Sequence, residues 1–205
     1  KKNSTKVDFV VMKLTEGRTY YDGNAANYNL EANINGAIAN GFEVTYYHFA
    51  KFGRTSNPVT DANDDATNFI GKLALFDKPK LPVVLDIEKD GFSKTYLWGN
   101  TNEDIKTYIE TFISRLNTSG YEVIIYAGND FITSYNVDYL SQYPLWYARY
   151  YDLNRANPEV DSPSTPIGVW NNWTIWQFTP KGIVSGIRGK VDLNVMKKSF
   201  FNKYV

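Results

Sequence analysis

The chain has 205 residues, which is enough for one domain with a substantial buried core. Basic and acidic residues number 22 each, so the net charge is zero and a nucleic-acid partner, which favours a basic surface, is not expected. Cysteine is absent and His48 is the single histidine, which excludes disulfides, thiolate metal sites and multi-histidine zinc sites. No apolar run approaches the roughly 18 residues of a membrane span. We therefore expect no metal, no cofactor and no membrane partner.

Helical patterns separate the first apolar runs of the chain. The alanine-rich stretch 24–40 predicts a helix with Ala32 and Ile38 on one face. A second helix is predicted to begin at Thr60 as its cap and to end near residue 76. A third follows the cap Thr101 and has an unbroken apolar stripe at i, i+3, i+4 and i+7. A short helix is predicted after Asn194.

Seven apolar runs predict strands, and the later ones follow each other without room for long helices. Strand–helix alternation is typical of a parallel sheet, and hairpin-like links at the end indicate an irregular barrel. We find no linker that would divide the chain, so residues 1–205 are interpreted as one domain. The predicted strands lie at 8–14, 43–49, 81–88, 122–127, 145–149, 174–178 and 190–193.

The stretch 81–88 is the centre of the predicted site, because an apolar strand ends there in two acids. Side chains alternate along a strand, so Asp86 and Glu88 point to the same side, roughly 6.6 Å apart. Like charges at this distance raise one pKa, and a carboxyl that stays protonated near neutral pH suits a general acid. The alternative is a strand end that enters a solvated loop. Chemistry in such barrels lies at the carboxyl ends of strands, where Asp192 is a third acid.

Aromatic side chains are abundant, with 16 Tyr, 12 Phe and 5 Trp. They favour a large aromatic core and, more weakly, a carbohydrate ligand, because aromatic faces suit sugar rings. His48 lies within a predicted strand, and we interpret it as a hydrogen-bonded core residue, with catalysis as the alternative.

Six segments in order resemble one family, glycoside hydrolase family 25, the Chalaropsis-type lysozymes that include phage endolysins and bacterial autolysins. The resemblance covers essentially the whole chain. The segments are KLTEG at 13–17, YHFA at 47–50, LPVVLDIE at 81–88, PLWYA at 144–148, WQF at 176–178 and VDLN at 191–194.

The resemblance implies an α/β fold, an irregular TIM-like (β/α)5(β)3 barrel. It also implies a lysozyme that hydrolyses the β-1,4 bond between N-acetylmuramic acid and N-acetylglucosamine in peptidoglycan. Such an enzyme works as a monomer outside the cell or at the bacterial cell wall. The resemblance makes Glu88 the proton donor, Asp86 its companion and Asp192 a further acid of the cleft. It assigns seven residues to lining or supporting the cleft: Lys13, Glu16, Tyr20, Tyr47, Tyr126, Trp146 and Trp176.

Three alternatives remain open at this point. Lys13 is either a cleft residue or a lysine that reaches water from a strand end, and Trp146 and Trp176 are either cleft or core residues. A catalytically impaired glycan-binding module on the same scaffold is the alternative function. A family 18 chitinase-like enzyme is disfavoured, since its acidic motif needs an acid where this chain has Val84.

The first predicted strand looks like the second strand of the family. We therefore expect that the native protein has a further strand before Lys1, with an aspartate at its carboxyl end. Without that strand, the barrel would stay open between the strand at Phe9 and the one at Asp192, and activity would be weak or absent.

Overall fold

Eight strands form one sheet in the order β2-β1-β3-β4-β5-β6-β7-β8. The structure is a computed structural model and describes residues 7–20, 29–92, 101–151 and 161–205. The strands are β1 (Phe9–Glu16), β2 (Thr19–Tyr20), β3 (Glu43–Phe49), β4 (Val83–Ile87), β5 (Val123–Gly128), β6 (Leu145–Ala148), β7 (Ile175–Gly182) and β8 (Val191–Met196). The helices are α1 (Leu30–Ala39), α2 (Pro58–Leu73), α3 (Asn102–Thr118), α4 (Asn129–Ser134) and α5 (Lys198–Tyr204).

The sheet is parallel from β1 through β3, β4, β5 and β6 to β7, whereas β2 and β8 run antiparallel to their neighbours. All seven predicted strands are present, and β2 is an additional strand of two residues. Helices connect the strands from β1 to β6, except between β1 and β2, and pack against a curled sheet. The predicted α/β architecture, an incomplete TIM-like barrel, is confirmed.

Alternating side chains divide the molecule into two apolar layers. The outer layer lies between the sheet and the helices and contains Leu85, Ile109 and Trp176. The inner layer lies on the concave face and is built around Val84 and Ile124. Because residues two apart share a face, the side chain of Asp86 follows Val84 onto the inner face.

Capping residues fix where the helices begin. Thr101 caps α3 in a capping box with Asp104, as predicted. The prediction that Thr60 caps α2 was wrong, because the Asn57 side chain accepts hydrogen bonds from the backbone N–H groups of Val59 and Thr60. Pro58 then occupies the first turn, where its missing N–H costs nothing.

The buried face of α1 also differs from the prediction. Leu30, Ile34 and Ala37 are buried, whereas Ala32 and Ile38 face solvent. Residues 24–28 of the predicted helix lie outside the described part of the chain. Among the described residues, no helix is both long and apolar enough to cross a bilayer.

His48 is fully buried in the outer layer and belongs to a polar network. Its Nδ1 atom lies 2.7 Å from Thr15 Oγ1 and its Nε2 atom 3.3 Å from Asp65 Oδ2. The carboxylate of Asp65 also accepts hydrogen bonds from Tyr108 and Arg54. The interpretation of His48 as a hydrogen-bonded core residue is confirmed, and its imidazole does not face the concave surface.

Candidate active site

The carboxyl groups of Asp86 and Glu88 form a hydrogen-bonded pair at the carboxyl end of β4. Asp86 belongs to a strand whose five residues are all buried, and its Oδ1 atom accepts no hydrogen bond from the described residues. Glu88 follows the strand and is half-buried. The pair therefore lies where a buried strand opens into the concave face, which is the usual location of chemistry in such barrels.

Burial is the main cause of the unusual protonation of this pair. It raises the pKa of Asp86 well above its ordinary value, and the charge and hydrogen bond of Glu88 raise it further. Burial also raises the pKa of Glu88, while the hydrogen bond to Asp86 lowers it and the charge of Asp90 raises it. Two carboxyls that interact this closely titrate as a pair, so their protonation belongs to the pair and not to either residue. This pair thus retains a proton at pH values where ordinary carboxyls are ionised.

The chain after Glu88 is held in a fixed position. The backbone N–H of Gly91 donates to the carbonyl of Glu88 at 3.0 Å, and Phe52 N–H donates to the carbonyl of Gly91 at 2.9 Å. A Cβ atom at residue 91 would meet the backbone oxygen of Ala50 at 2.5 Å, so only glycine fits. This close contact with the segment after β3 sets the position of Glu88.

A β-bulge brings Lys13 and Glu16 to the same face of β1. Residues three apart in a regular strand point to opposite faces. Here Lys13 pairs with Tyr47 and Glu16 with Phe49, so one extra residue of β1 resets the alternation. Both side chains then face the concave side, where they form an ion pair.

Lys51 completes a charged cluster with this pair. Its Nζ atom lies 2.9 Å from Glu16 Oε1, and the Nζ atoms of Lys13 and Lys51 each lie 4.7 Å from the ring centroid of Phe49. Burial tends to raise the pKa of Glu16, but the two lysines outweigh it and the pKa is lowered. The charge of Lys13 also lowers the pKa of both Asp86 and Glu88. Lys13 is therefore part of the electrostatics of the acid pair.

Asp192 lies at the same rim, for a reason that differs from the prediction. The sequence analysis placed it at the carboxyl end of a strand, but it is the second residue of β8, which runs antiparallel to β7. The amino end of an antiparallel strand meets the carboxyl ends of the parallel ones. Asp192 is solvent-accessible, yet partial burial raises its pKa, and its charge raises the pKa of Glu88.

Two residues that the sequence analysis did not select, Gln177 and Tyr150, also lie close to the acids. The hydroxyls of Tyr126 and Tyr150 donate to Gln177 Oε1 at 2.9 and 2.6 Å. Burial raises the pKa of both tyrosines, and the charges of Asp86 and Glu88 add to this rise. Strand alternation puts Gln177 on the face opposite to Trp176, so Gln177 faces the cleft once Trp176 is known to pack in the outer layer.

The predicted aromatic residues divide between the two layers. Trp146 belongs to the inner layer, donates from Nε1 to Asn194 Oδ1 at 3.0 Å and packs edge-on against Tyr126. Tyr47 is half-buried against the same layer. Trp176 is 0% exposed in the outer layer and donates to the Arg149 carbonyl at 2.8 Å, so it does not line the cleft.

Tyr20 ends β2, where its backbone pairs with Thr15, and its side chain lies outside the described part of the structure. A cavity of about 720 Å³ lies at the far end of β8 and includes Trp173 and Lys197. It contains none of the predicted site residues, so we locate the site at the acid pair and not at this cavity.

A curled parallel sheet with a carboxyl pair at its carboxyl end is the arrangement of a barrel enzyme that uses acid–base chemistry, as glycoside hydrolases do. The family model described as "Glycosyl hydrolases family 25" matches residues 1–187, and the chain belongs to this family. The resemblance drawn from the six segments is confirmed.

Several known proteins are similar to the chain. It is 30% identical over 196 residues to Lysozyme M1 of Streptomyces globisporus, a match that covers 93% of this chain and 60% of that protein. The uncharacterised protein YegX of Escherichia coli K12 is 27% identical over 195 residues, and the match covers 94% of this chain and 60% of that protein. The chain thus spans 60% of the length of these two curated relatives.

Solved structures agree with this assignment. The CTP1L endolysin has a TM-score of 0.71 and 26% identity, with 96% of this chain and 60% of that chain covered. The bacterial lysozyme from Streptomyces coelicolor has a TM-score of 0.70 and 26% identity, with 93% of this chain and 81% of that chain covered.

Proposed function

We propose that this chain is a lysozyme that hydrolyses the β-1,4 bond between N-acetylmuramic acid and N-acetylglucosamine in bacterial peptidoglycan. The observation that supports it is the close pair of Asp86 and Glu88 on the concave face of a family 25 barrel, where burial raises the pKa of both carboxyls. The names of the relatives, lysozyme and endolysin, point to the same activity. We further propose that it acts as a monomer, outside the cell or at the cell wall.

Glu88 is the general acid in this proposal. It is half-buried, so its carboxyl reaches the cleft while burial raises its pKa. Asp86 orients the substrate's acetamido group by accepting its N–H. Because an ionised carboxyl is the better acceptor, this contact leaves the proton of the pair on Glu88, next to the glycosidic oxygen.

The acetamido oxygen is then the nucleophile, held in place by Asp86. Enzymes of this substrate-assisted kind differ from the usual scheme of a carboxylate nucleophile and a carboxylic acid. Two successive displacements invert the anomeric carbon twice, so the configuration is retained. Asp192, Tyr126 and Tyr150 surround the same space and are proposed to contact the sugar, together with Trp146 and Tyr47.

The cluster of Lys13, Glu16 and Lys51 is proposed to adjust the charge of the cleft. Lys13 opposes the repulsion among the acids, as its effect on the pKa values of Asp86 and Glu88 supports. Glu16 in turn holds both lysines by ion pairs. Without Glu16, the two lysines would be free to pair with Asp86 or Glu88, and the carboxyl so paired would stay ionised.

The substitution Glu88→Gln tests this proposal, because it preserves shape and removes the transferable proton. Clearing of a cell-wall suspension should slow by 10²–10⁴-fold, the usual cost of losing a general acid. The matched control is Glu110→Gln, at an exposed position of α3, which should clear at the parental rate. Clearing by Glu88→Gln at the parental rate would refute the assignment. Wild-type protein that binds walls without clearing them would favour the glycan-binding alternative.

A further inference from the structure

The link between β7 and β8 is a hairpin with an unusual charge. Residues 179–191 contain Lys181, Arg188 and Lys190 and no acid, although the whole chain has no net charge. All three basic side chains are exposed, and none of them forms an ion pair with another described residue. Positive charge is thus concentrated on one projecting segment.

Two apolar side chains lie at the tip of the same hairpin. Ile183 is 81% exposed and Ile187 is 52% exposed. Single exposed apolar residues are common, but two of them beside three basic residues form a mixed surface. We call residues 181–190 the basic hairpin.

The shape of the basic hairpin is fixed by backbone contacts. The N–H of Ile187 donates to the carbonyl of Val184 at 3.1 Å, and Gly186 supplies the positive φ of 89° that such a turn requires. At the base, a Cβ atom on Gly182 would meet Leu193 Cγ at 2.2 Å, so the two strands pack closely there. The exposed side chains are therefore presented by a shaped turn.

The basic hairpin stands at the rim of the acid cleft. Lys190 precedes Asp192 by two residues, and the charge of Asp192 raises the pKa of both Glu88 and Tyr150. Gly182 at the carboxyl end of β7 pairs with Val191, the residue before Asp192, so the hairpin projects beyond the end of the sheet that carries Asp86 and Glu88. The hairpin therefore lies at the end of the sheet over which a glycan bound to Asp86 and Glu88 would extend.

We infer that the basic hairpin is a subsite for the acidic peptide attached to the lactyl group of N-acetylmuramic acid. The inference rests on the proposed function. N-acetylated sugar rings are uncharged, so the negative charge of this substrate lies in its peptide, which also carries alanine methyl groups. Basic side chains and isoleucines complement those two features. A lipid surface fits less well, because the tip offers two apolar side chains and no aromatic residue for a membrane interface.

The test compares cleavage of two substrates that differ in the peptide. One is intact peptidoglycan, and the other is the same glycan after an amidase has hydrolysed the lactyl–alanine bonds and the freed lactyl carboxyls have been converted to primary amides, so that the peptide-free glycan carries no charge. The readout is kcat/KM for intact peptidoglycan divided by kcat/KM for the peptide-free glycan. A loss of activity that is common to both substrates leaves this ratio unchanged. The hairpin variant carries three neutralising substitutions: Lys181→Ser, Arg188→Ser and Lys190→Ser. The control variant removes three basic side chains at the opposite end of the sheet: Lys78→Ser, Lys80→Ser and Lys198→Ser.

We expect the hairpin variant to lower the ratio about tenfold and the control variant to leave it unchanged. Added salt should lower the ratio for the wild type, since exposed charges are screened. An unchanged ratio in the hairpin variant, or an equal fall in the control, overturns the inference. So does binding to phosphatidylglycerol vesicles that is lost in the hairpin variant while the ratio is unchanged.

Failure of the proposed lysozyme activity can be distinguished from failure of the peptide subsite. Wild-type protein that cleaves neither substrate contradicts the lysozyme activity, and the subsite is then tested by calorimetry with soluble ligands. A muramoyl peptide should bind more tightly than the peptide-free disaccharide, and the hairpin variant should abolish the difference. Equal affinity of the wild type for the two ligands overturns the inference.

Discussion

Replacing Asp86 by asparagine should stabilise the protein and disable it at the same time. Asp86 is 7% exposed, and its Oδ1 atom has no hydrogen-bond partner among the described residues. Burial and the nearby Glu88 raise its pKa well above the ordinary value. The folded state thus works against an ionised carboxyl at this position, whereas an amide carries no such penalty.

The sign of the effect follows from proton binding. Between the ordinary carboxyl pKa, about 4, and the raised pKa of the folded state, Asp86 holds more protons folded than unfolded. The free energy of unfolding therefore falls as the pH rises through this interval. Asp86→Asn removes this loss, and we expect a gain of about 1–2 kcal/mol at pH 7, which for a chain of this size raises Tm by about 4 °C.

Thermal denaturation at several pH values measures this gain. The difference between Asp86→Asn and wild type should be larger at pH 7 than at pH 5 and vanish near pH 3, where the carboxyl is protonated in both states. The matched control is Asp90→Asn, because Asp90 is exposed although its charge also raises the pKa of Glu88. It should change the free energy of unfolding by less than about 0.5 kcal/mol. A lower Tm at pH 7 for Asp86→Asn, or a gain that persists at pH 3, would refute the reasoning.

Activity should change in the opposite direction. Asp86→Asn loses the carboxylate that orients the acetamido group, and kcat/KM should fall about 100-fold, comparable to the loss of one preorganised electrostatic contact. Wall clearing at the parental rate would contradict the proposed role of Asp86 without affecting the stability argument.

Three further outcomes test the described contacts. Gln177→Leu removes the acceptor shared by Tyr126 and Tyr150, and should lower the free energy of unfolding by about 1–3 kcal/mol and kcat/KM about tenfold; unchanged denaturation and kinetics would contradict this. Thr101→Ala removes the capping box of α3 and should cost about 1 kcal/mol, with kcat/KM at 25 °C unchanged, as thermal denaturation and kinetics would measure. The first-formed reducing end should be the β anomer by proton NMR, whereas predominant α anomer would implicate a water-activating base such as Asp192.

The grouping of the acids was predictable because it depends on simple periodicities. A strand period of two is enough to place Asp86 and Glu88 on one side, and a parallel sheet brings strand ends to one rim. Asp192 was placed at that rim through a mistaken strand direction. The sequence could not correct this, because the direction of a strand depends on the pairing of distant segments, which no local pattern contains.

The sequence analysis missed site residues where the sequence does not show which face of a strand becomes the concave one. Trp176 and Gln177 are adjacent, and an aromatic residue was preferred to an amide as a sugar contact, although the tryptophan packs in the outer layer. Tyr150 lies beyond the end of β6, outside any pattern. The bulge in β1 that brings Lys13 and Glu16 together leaves no periodic signal, because it is a single departure from the period.

The two apolar layers have a practical consequence for directed evolution. Adjacent positions of one strand serve different purposes, as Trp176 and Gln177 do, so a library that randomises a whole strand mixes folding defects with changes in specificity. Varying only alternate positions separates them. The outer positions can then be searched for heat resistance by screening soluble expression, and the inner positions for a new substrate range, each with far fewer inactive clones.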